Sequence, residues 1–161
     1  MKKQEHLPEV GVGPVYVVLI VIVTLIGILI SVFRIIHVGN AAILKLPFIV
    51  FGIVLIIVGI IIFVRAQIDL GDHIRKNELV TTGIYAYVRN PIYTSFLMVC
   101  TGALFIVNDI WLCILPFIYW VFLTVLMIKT EEKWLHDLYG EQYDAYCRQV
   151  NRVIPWKNQK F

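Results

Sequence analysis

The sequence predicts an all-α integral membrane protein: about four transmembrane helices, two of them joined as a tight hairpin, and an amphipathic cytosolic helix after the last. Three observations predict it. Of the 161 residues, 60% are hydrophobic and only 16% charged, and mean hydropathy is +0.82; soluble domains carry about 45–50% apolar and about 25% charged residues. The apolar excess lies in long uninterrupted runs, the mark of membrane spans rather than of a large core. The Lys and Arg residues gather on one side of a four-span arrangement.

The runs fall at residues 15–33, 46–64, 91–107 and 110–128, each close to the roughly 20 residues a helix needs to cross the hydrocarbon. The first follows Met1-Lys2-Lys3 but is too long for the apolar part of a signal peptide and no small-residue cleavage site follows it, so it reads as a retained span. Gly11-Val12-Gly13 precedes it. No strand leads into these glycines, so they are not a nucleotide fingerprint and read as a flexible lead-in. Pro47 falls in the first turn of the second span, where a missing N–H is harmless. Asn108 and Asp109 alone separate the third and fourth spans, which forces a helical hairpin. Pro116 lies within the fourth and predicts a kink.

Four spans put Lys2, Lys3, Arg65, Arg75, Lys76, Arg89, Lys129, Lys133, Arg148, Arg152, Lys157 and Lys160 on one side, and only Arg34 and Lys45 on the other. That asymmetry predicts that both termini and the polar loop 65–90 are cytosolic. The net charge of +3 reads as membrane orientation. Without a basic run interleaved with aromatics in a soluble segment, it does not suggest a nucleic-acid partner. Cys100, Cys113 and Cys147 form no CxxC pair and read as apolar thiols, so no metal is expected. The length allows one domain, residues 1–161.

Two constellations carry chemistry. The polar loop holds Asp69, Asp72, His73, Arg75 and Lys76, a solvated cluster with no metal-ligand spacing, and ends in Gly83-Ile84-Tyr85 and Arg89-Asn90-Pro91-Ile92-Tyr93. Gly83 permits a turn that a side chain would block, and Pro91 pushes Asn90 out of helical geometry. Arg89 and Tyr85 beside the start of a helix suit an anionic ligand; they suit a basic-aromatic interfacial anchor equally well. Glu131-Glu132, just beyond the fourth span, can take a sulfonium, a ribose hydroxyl or an amine, or form an ordinary solvated first turn. Residues 130–150 carry Leu135, Leu138, Tyr139, Tyr143, Tyr146 and Val150 at helical spacing, which predicts one amphipathic helix, either an interfacial anchor or a lid over a pocket.

The ordered set decides between these readings. Gly83-Ile84-Tyr85, Arg89 to Tyr93, the hairpin, Glu131-Glu132, the tyrosine-rich run 139–146 and Arg152-Val153-Ile154-Pro155 resemble the isoprenylcysteine carboxyl methyltransferase family and, more loosely, the phospholipid methyltransferases. The resemblance covers residues 77–155. It implies S-adenosylmethionine as cofactor, held at the cytosolic face by Asn77, Glu78, Leu79, Val80, Tyr85, Asn90, Pro91, Tyr93 and Glu131. It also implies a lipid-like or prenylated substrate entering sideways from the bilayer. Arg89, with Arg152 second, is the expected orienting residue for the substrate head group. Three positions depart from the family pattern: Asn90 replaces a histidine, Ser95 a glycine, and Met127 an arginine that would hold a prenylcysteine carboxylate. An amide cannot take a proton, so no base sits at Asn90.

The expected activity is therefore methyl transfer, most simply to a carboxylate, in a cytoplasmic membrane of prokaryotic type. Other readings of the same residues are an amine or phospholipid N-methyltransferase, a membrane sterol-type reductase using NADPH, and a membrane subunit without catalysis. Binding of S-adenosylhomocysteine but not NADPH separates the first from the second, and absence of any cofactor binding favours the third.

Overall fold

The computed structural model describes residues 13–36, 39, 43–74 and 79–154. Six α-helices run in chain order: α1 Gly13–Val32, α2 Lys45–Ile74, α3 Pro91–Val107, α4 Leu115–Lys129, α5 Glu131–Tyr139 and α6 Glu141–Gln149. Short 3₁₀ turns, Gly83–Ala86 and Ile110–Ile114, lead into α3's approach and into α4. The described chain is all-α and membrane-spanning in character, as its sequence predicts.

Among the described residues, three segments are long and apolar enough to cross a membrane: α1, α2 as far as Gly71, and the stretch Ile110–Tyr139, which runs through α4 and α5. The predicted third span, α3, has 17 residues. At the α-helical rise that is about 26 Å, short of a hydrocarbon layer about 30 Å thick. The hairpin turn itself is as tight as expected. Asn108 closes it in the left-handed region at φ 57°, which asparagine tolerates better than most residues. Pro116 does not kink a helix interior: it sits in the first turn of α4, where the preceding 3₁₀ turn absorbs the change of direction.

α2 is the other departure. It runs 30 residues, about 45 Å, and carries Arg65 and Asp69 as helix rather than loop. Asp69 is therefore carried on a rigid helical arm. Arg75 to Glu78 lie outside the described residues.

The outer faces of α1 and α2 expose Leu19, Ile22, Leu29, Ile53, Ile57 and Ile61, as lipid-facing helices do. Inside, Tyr16 and Ile20 of α1 pack with Cys100 and Leu104 of α3, Leu112, and Tyr119, Leu123 and Met127 of α4. Met127, where the family resemblance places an arginine, is fully buried here; this chain uses the position for packing. Two pairs of polar groups meet at this core: the Thr24 and Tyr119 hydroxyls lie 3.0 Å apart, and Ser31 Oγ donates to Asp109 Oδ2 at 2.7 Å.

α2 and α3 pack with their backbones in near contact. A Cβ on Gly102 would lie 2.5 Å from the Gly52 carbonyl oxygen, and one on Gly52 equally close to the Gly102 carbonyl. One turn-pair along, a Cβ on Gly59 would lie 2.9 Å from the Ser95 carbonyl oxygen. The close approach that Ser95 would narrow is thus kept by a glycine on the facing helix. Gly102→Leu should separate the two helices and lower detergent thermal stability by about 1–3 kcal/mol, the usual penalty of overpacking. Gly71→Ala, whose added Cβ meets nothing within 4 Å, is the matched control.

Candidate functional site

The functional region lies where the end of α2, the start of α3 and the helices after α4 meet. Pro91 opens α3, and Asn90 before it has φ −122° and ψ 61°, outside the helical region. The loop ahead is fixed from two sides. Asp69 Oδ2 accepts the Ile84 backbone N–H at 2.7 Å, and a Cβ on Gly83 would lie 2.1 Å from the same oxygen; Gly83 has φ +60°. Glycine is needed on both counts. This turn aims Tyr85 inward and buries it. Asp69, read from sequence as part of a solvated cluster, is the residue that builds the turn.

The chain's later segment clamps the other side. Arg89 N–H donates to the Asn151 carbonyl at 2.9 Å, and Asn90 N–H to the Arg152 carbonyl at 3.2 Å. The Asn90 side-chain amide donates to that same carbonyl at 3.1 Å, and Thr94 Oγ1 to the Val153 carbonyl at 2.8 Å. Residues 150–154 thereby close over the start of α3.

The tail is not one helix. Gly140, at φ 53° and ψ −127°, breaks it into α5 and α6. The backbone there is in a region only glycine enters readily. The break folds α6 back so that the Tyr146 hydroxyl donates to the Tyr85 carbonyl at 2.6 Å. His136 Nδ1 and Asp144 Oδ1, 2.9 Å apart, clasp the two short helices on their outer side.

These elements surround a cavity of about 200 Å³ whose walls include Leu79, Val80, Tyr85, Arg89, Asn90, Pro91, Tyr93 and Glu131. Every expected cofactor-site residue among the described ones is on it; Asn77 and Glu78 lie outside the described residues. Leu70, Ile92, Trp134, Leu135, Tyr139, Tyr143 and Tyr146 complete the lining. Of these seven, Leu135, Tyr139, Tyr143 and Tyr146 were read from their spacing as the face of an anchor or a lid; Leu70, Ile92 and Trp134 were not singled out from sequence. The tail is a wall of the cavity.

At its centre the Tyr93 hydroxyl donates to Glu131 Oε1 at 2.8 Å. Tyr85, which is buried, has its phenol pushed well above the ordinary range, first by burial and then by the charges of Asp69 and Glu131. Burial does the same at Tyr146. Both phenols therefore stay neutral donors across any physiological pH.

Arg89 and Arg152 converge on Glu132 rather than standing free. Arg152 grips it two-pronged, Nε to Oε1 at 2.5 Å and Nη2 to Oε2 at 2.8 Å. Those bonds, opposed by partial burial, raise the Arg152 guanidinium above its ordinary range. Arg89 Nη2 lies 3.2 Å from Oε1, and its Nη1 contacts Cys147 Sγ. The Arg89 side chain is 9% exposed, and its buried Nε has no partner among the described residues. Arg89 also borders a second cavity of about 280 Å³, shared with Trp120, Thr124, Asn151, Arg152, Val153 and Ile154. One guanidinium thus stands between a cavity under the tail helices and another that opens along α4.

Over 118 residues the chain is 32% identical to protein-S-isoprenylcysteine O-methyltransferase B of Arabidopsis thaliana, covering 67% of this chain and 59% of that protein. It is 35% identical over 85 residues to the protein-S-isoprenylcysteine O-methyltransferase of Schizosaccharomyces pombe, covering 52% of this chain and 34% of that one. The Saccharomyces cerevisiae protein of the same name is 34% identical over 86 residues, 53% of this chain and 34% of that one. The chain therefore spans between a third and three-fifths of the length of these relatives. No solved structure matches it significantly. The sequence model of the phospholipid methyltransferases matches residues 40–142, from before α2 into α6, so this chain belongs to the phospholipid methyltransferase family.

Proposed function

We propose that this protein transfers a methyl group from S-adenosylmethionine to the carboxylate of an amphiphilic acid at the cytosolic face of a membrane. The observation that carries the reading is the meeting of Tyr85, Tyr93 and Glu131 on one cavity walled by Arg89. The isoprenylcysteine O-methyltransferases among its relatives support a lipid-linked acid as acceptor, one that slides in from the bilayer.

The residues fit the cofactor's chemistry. Glu131 offers a carboxylate to hydroxyl or ammonium donors, Tyr85 and Tyr93 offer ring faces and neutral hydroxyls, and Leu79, Val80 and Pro91 offer an apolar floor. The cavity's roughly 200 Å³ is below the usual ligand-pocket range of about 300–1,000 Å³. A nucleoside ligand of this size thus reaches through the mouth or displaces α5 and α6, whose outer clasp is one exposed His–Asp pair.

When bound, S-adenosylmethionine would supply an electrophilic methyl on sulfonium, whose carbon would bond to the carboxylate oxygen as the carbon–sulfur bond breaks, with a neutral thioether leaving and no proton moved. A carboxylate with a pKa near 4 is already ionised at neutral pH, so the amide at Asn90 is no handicap. The chain's work is alignment and exclusion of water. Arg89, with its unpartnered Nε, orients the acceptor anion from the boundary between the two cavities, and Arg152 supports it through Glu132. Trp134, Leu135 and the tail tyrosines cover the cavity.

The membership in a family named for phospholipids favours an amine acceptor as the second reading. Titration of S-adenosylhomocysteine into detergent-purified protein should give saturable heat, with none for NADPH. A labelled-methyl screen over lipid-like acids, thiols and amines should then yield base-labile methyl esters. Stable N-methyl products would move the assignment to the amine reading; NADPH binding alone, or no binding, would remove methyl transfer.

A further inference from the structure

α1 lies outside the 40–142 match, and from sequence its glycine lead-in has no role. Its first residue nonetheless bears on the cavity. Gly13 is buried. A Cβ there would lie 1.9 Å from the Tyr93 hydroxyl oxygen and 2.2 Å from two ring carbons. The tip of Tyr93 therefore occupies the space in which any other residue would place a side chain. From that position its hydroxyl reaches Glu131 Oε1 at 2.8 Å.

The backbone N–H of Gly13 also faces this carboxylate. It is one of the N–H groups that a helix start leaves without an intrahelical acceptor. It also stands at the positive end of the dipole of a 20-residue helix. Three elements distant in sequence thus meet at one carboxylate: the start of α1, the first turn of α3 and the start of α5. An ionised carboxylate has about four lone-pair positions. Tyr93 takes one, the Gly13 N–H faces the carboxylate from the start of α1, and the cavity side keeps the others for a ligand.

We propose that Gly13 is a positioning residue of this site: its N–H and its missing side chain hold Tyr93 and Glu131 so that Glu131 receives the hydroxyl or ammonium donors of the bound ligand. The inference rests on the cavity being the ligand site, as in the proposed function. It adds α1 to the binding machinery. A glycine needed only for helix packing would affect folding and leave ligand affinity to follow.

The two roles separate in Gly13→Ala. The clashing atoms are the far end of one side chain, so the ring can swing into the cavity and the chain still fold, with the bond to Glu131 lost. S-adenosylhomocysteine affinity is measured by calorimetry for wild type, Gly13→Ala, Tyr93→Phe, the double variant, and Gly71→Ala as control. Each single variant at the site should bind about tenfold more weakly, the effect of losing one hydrogen bond to a charged group. The double variant should be no weaker than either, and Gly71→Ala should match wild type. Wild-type affinity in Gly13→Ala, or losses that multiply in the double variant, overturns the proposal.

A second measurement needs no ligand. With ¹⁵N-glycine labelling the chain has ten glycines, and the Gly13 amide is identified by its disappearance in Gly13→Ala. Its resonance should move in Glu131→Gln and stay in place in Gly71→Ala. If wild type binds no S-adenosylhomocysteine while the resonance responds to Glu131→Gln, the methyl-donor reading fails and the Gly13–Glu131 coupling stands. An amide indifferent to Glu131→Gln overturns the coupling whatever the ligand.

Discussion

Glu132→Ala is expected to lower the stability of the purified protein by about 3 kcal/mol or more, the loss typical of removing one partner from a buried ion cluster. Glu132 is 14% exposed and is shared by two guanidiniums, Arg89 at 9% and Arg152 at 26% exposure. Alanine leaves both cations without their carboxylate, and Arg89 already carries one buried N–H with no partner. The damage should be local first. Arg152 belongs to the segment that caps the start of α3 through the Asn151, Arg152 and Val153 carbonyls, so its release loosens that clamp. Thermal unfolding in detergent measures the total, and limited proteolysis after residue 149 reports the clamp. Glu132→Gln keeps one acceptor oxygen and should fall between wild type and alanine. Alanine with wild-type stability would mean that solvent reaches the arginines and that they are not held by Glu132.

The same cluster illustrates what the sequence disclosed and what it did not. Arg89, Arg152 and the Glu131-Glu132 pair stood out because charged residues beside long apolar runs are expensive to place. The family resemblance implied that Tyr85, Tyr93 and Glu131 meet across more than forty residues of sequence, and all three line one cavity. Pairing was not legible. Nothing in adjacent glutamates says that Glu131 takes Tyr93 while Glu132 takes the arginines; the α-helical turn at the start of α5 sends the two side chains apart.

Three other features were hidden for separate physical reasons. The tail's apolar spacing continues across Gly140, and a periodic pattern cannot register a single residue at φ 53°. Asp69 looked solvated because hydropathy falls after residue 64, yet the backbone stays helical to Ile74 and carries the carboxylate to the Ile84 N–H. Gly13 was unreadable because its importance is an absence: the space belongs to a tyrosine eighty residues away.

Glu131→Gln should produce the largest change in ligand binding, about a hundredfold weaker affinity for the methyl donor. The carboxylate accepts the Tyr93 hydroxyl, faces the Gly13 N–H and keeps lone pairs for the ligand's donors, and hydrogen bonds to a charged group are worth about 1.5–3 kcal/mol each. An amide has one acceptor oxygen, and its NH₂ end must face either a donor already in place or the ligand's own donors. Comparing two ligands then identifies what the carboxylate reads. S-adenosylmethionine carries a positive sulfonium and S-adenosylhomocysteine does not, while their hydroxyl and ammonium groups are the same. Equal losses for both would mean that Glu131 binds those shared donors. A distinctly greater loss for S-adenosylmethionine would place the carboxylate against the sulfonium, where it would stabilise the ground state, a stabilisation lost as the sulfonium becomes a neutral thioether. That geometry would slow the transfer step, so the unequal result should be accompanied by a variant whose turnover falls less than its affinity. Affinity for both ligands unchanged from wild type would remove Glu131 from the binding site.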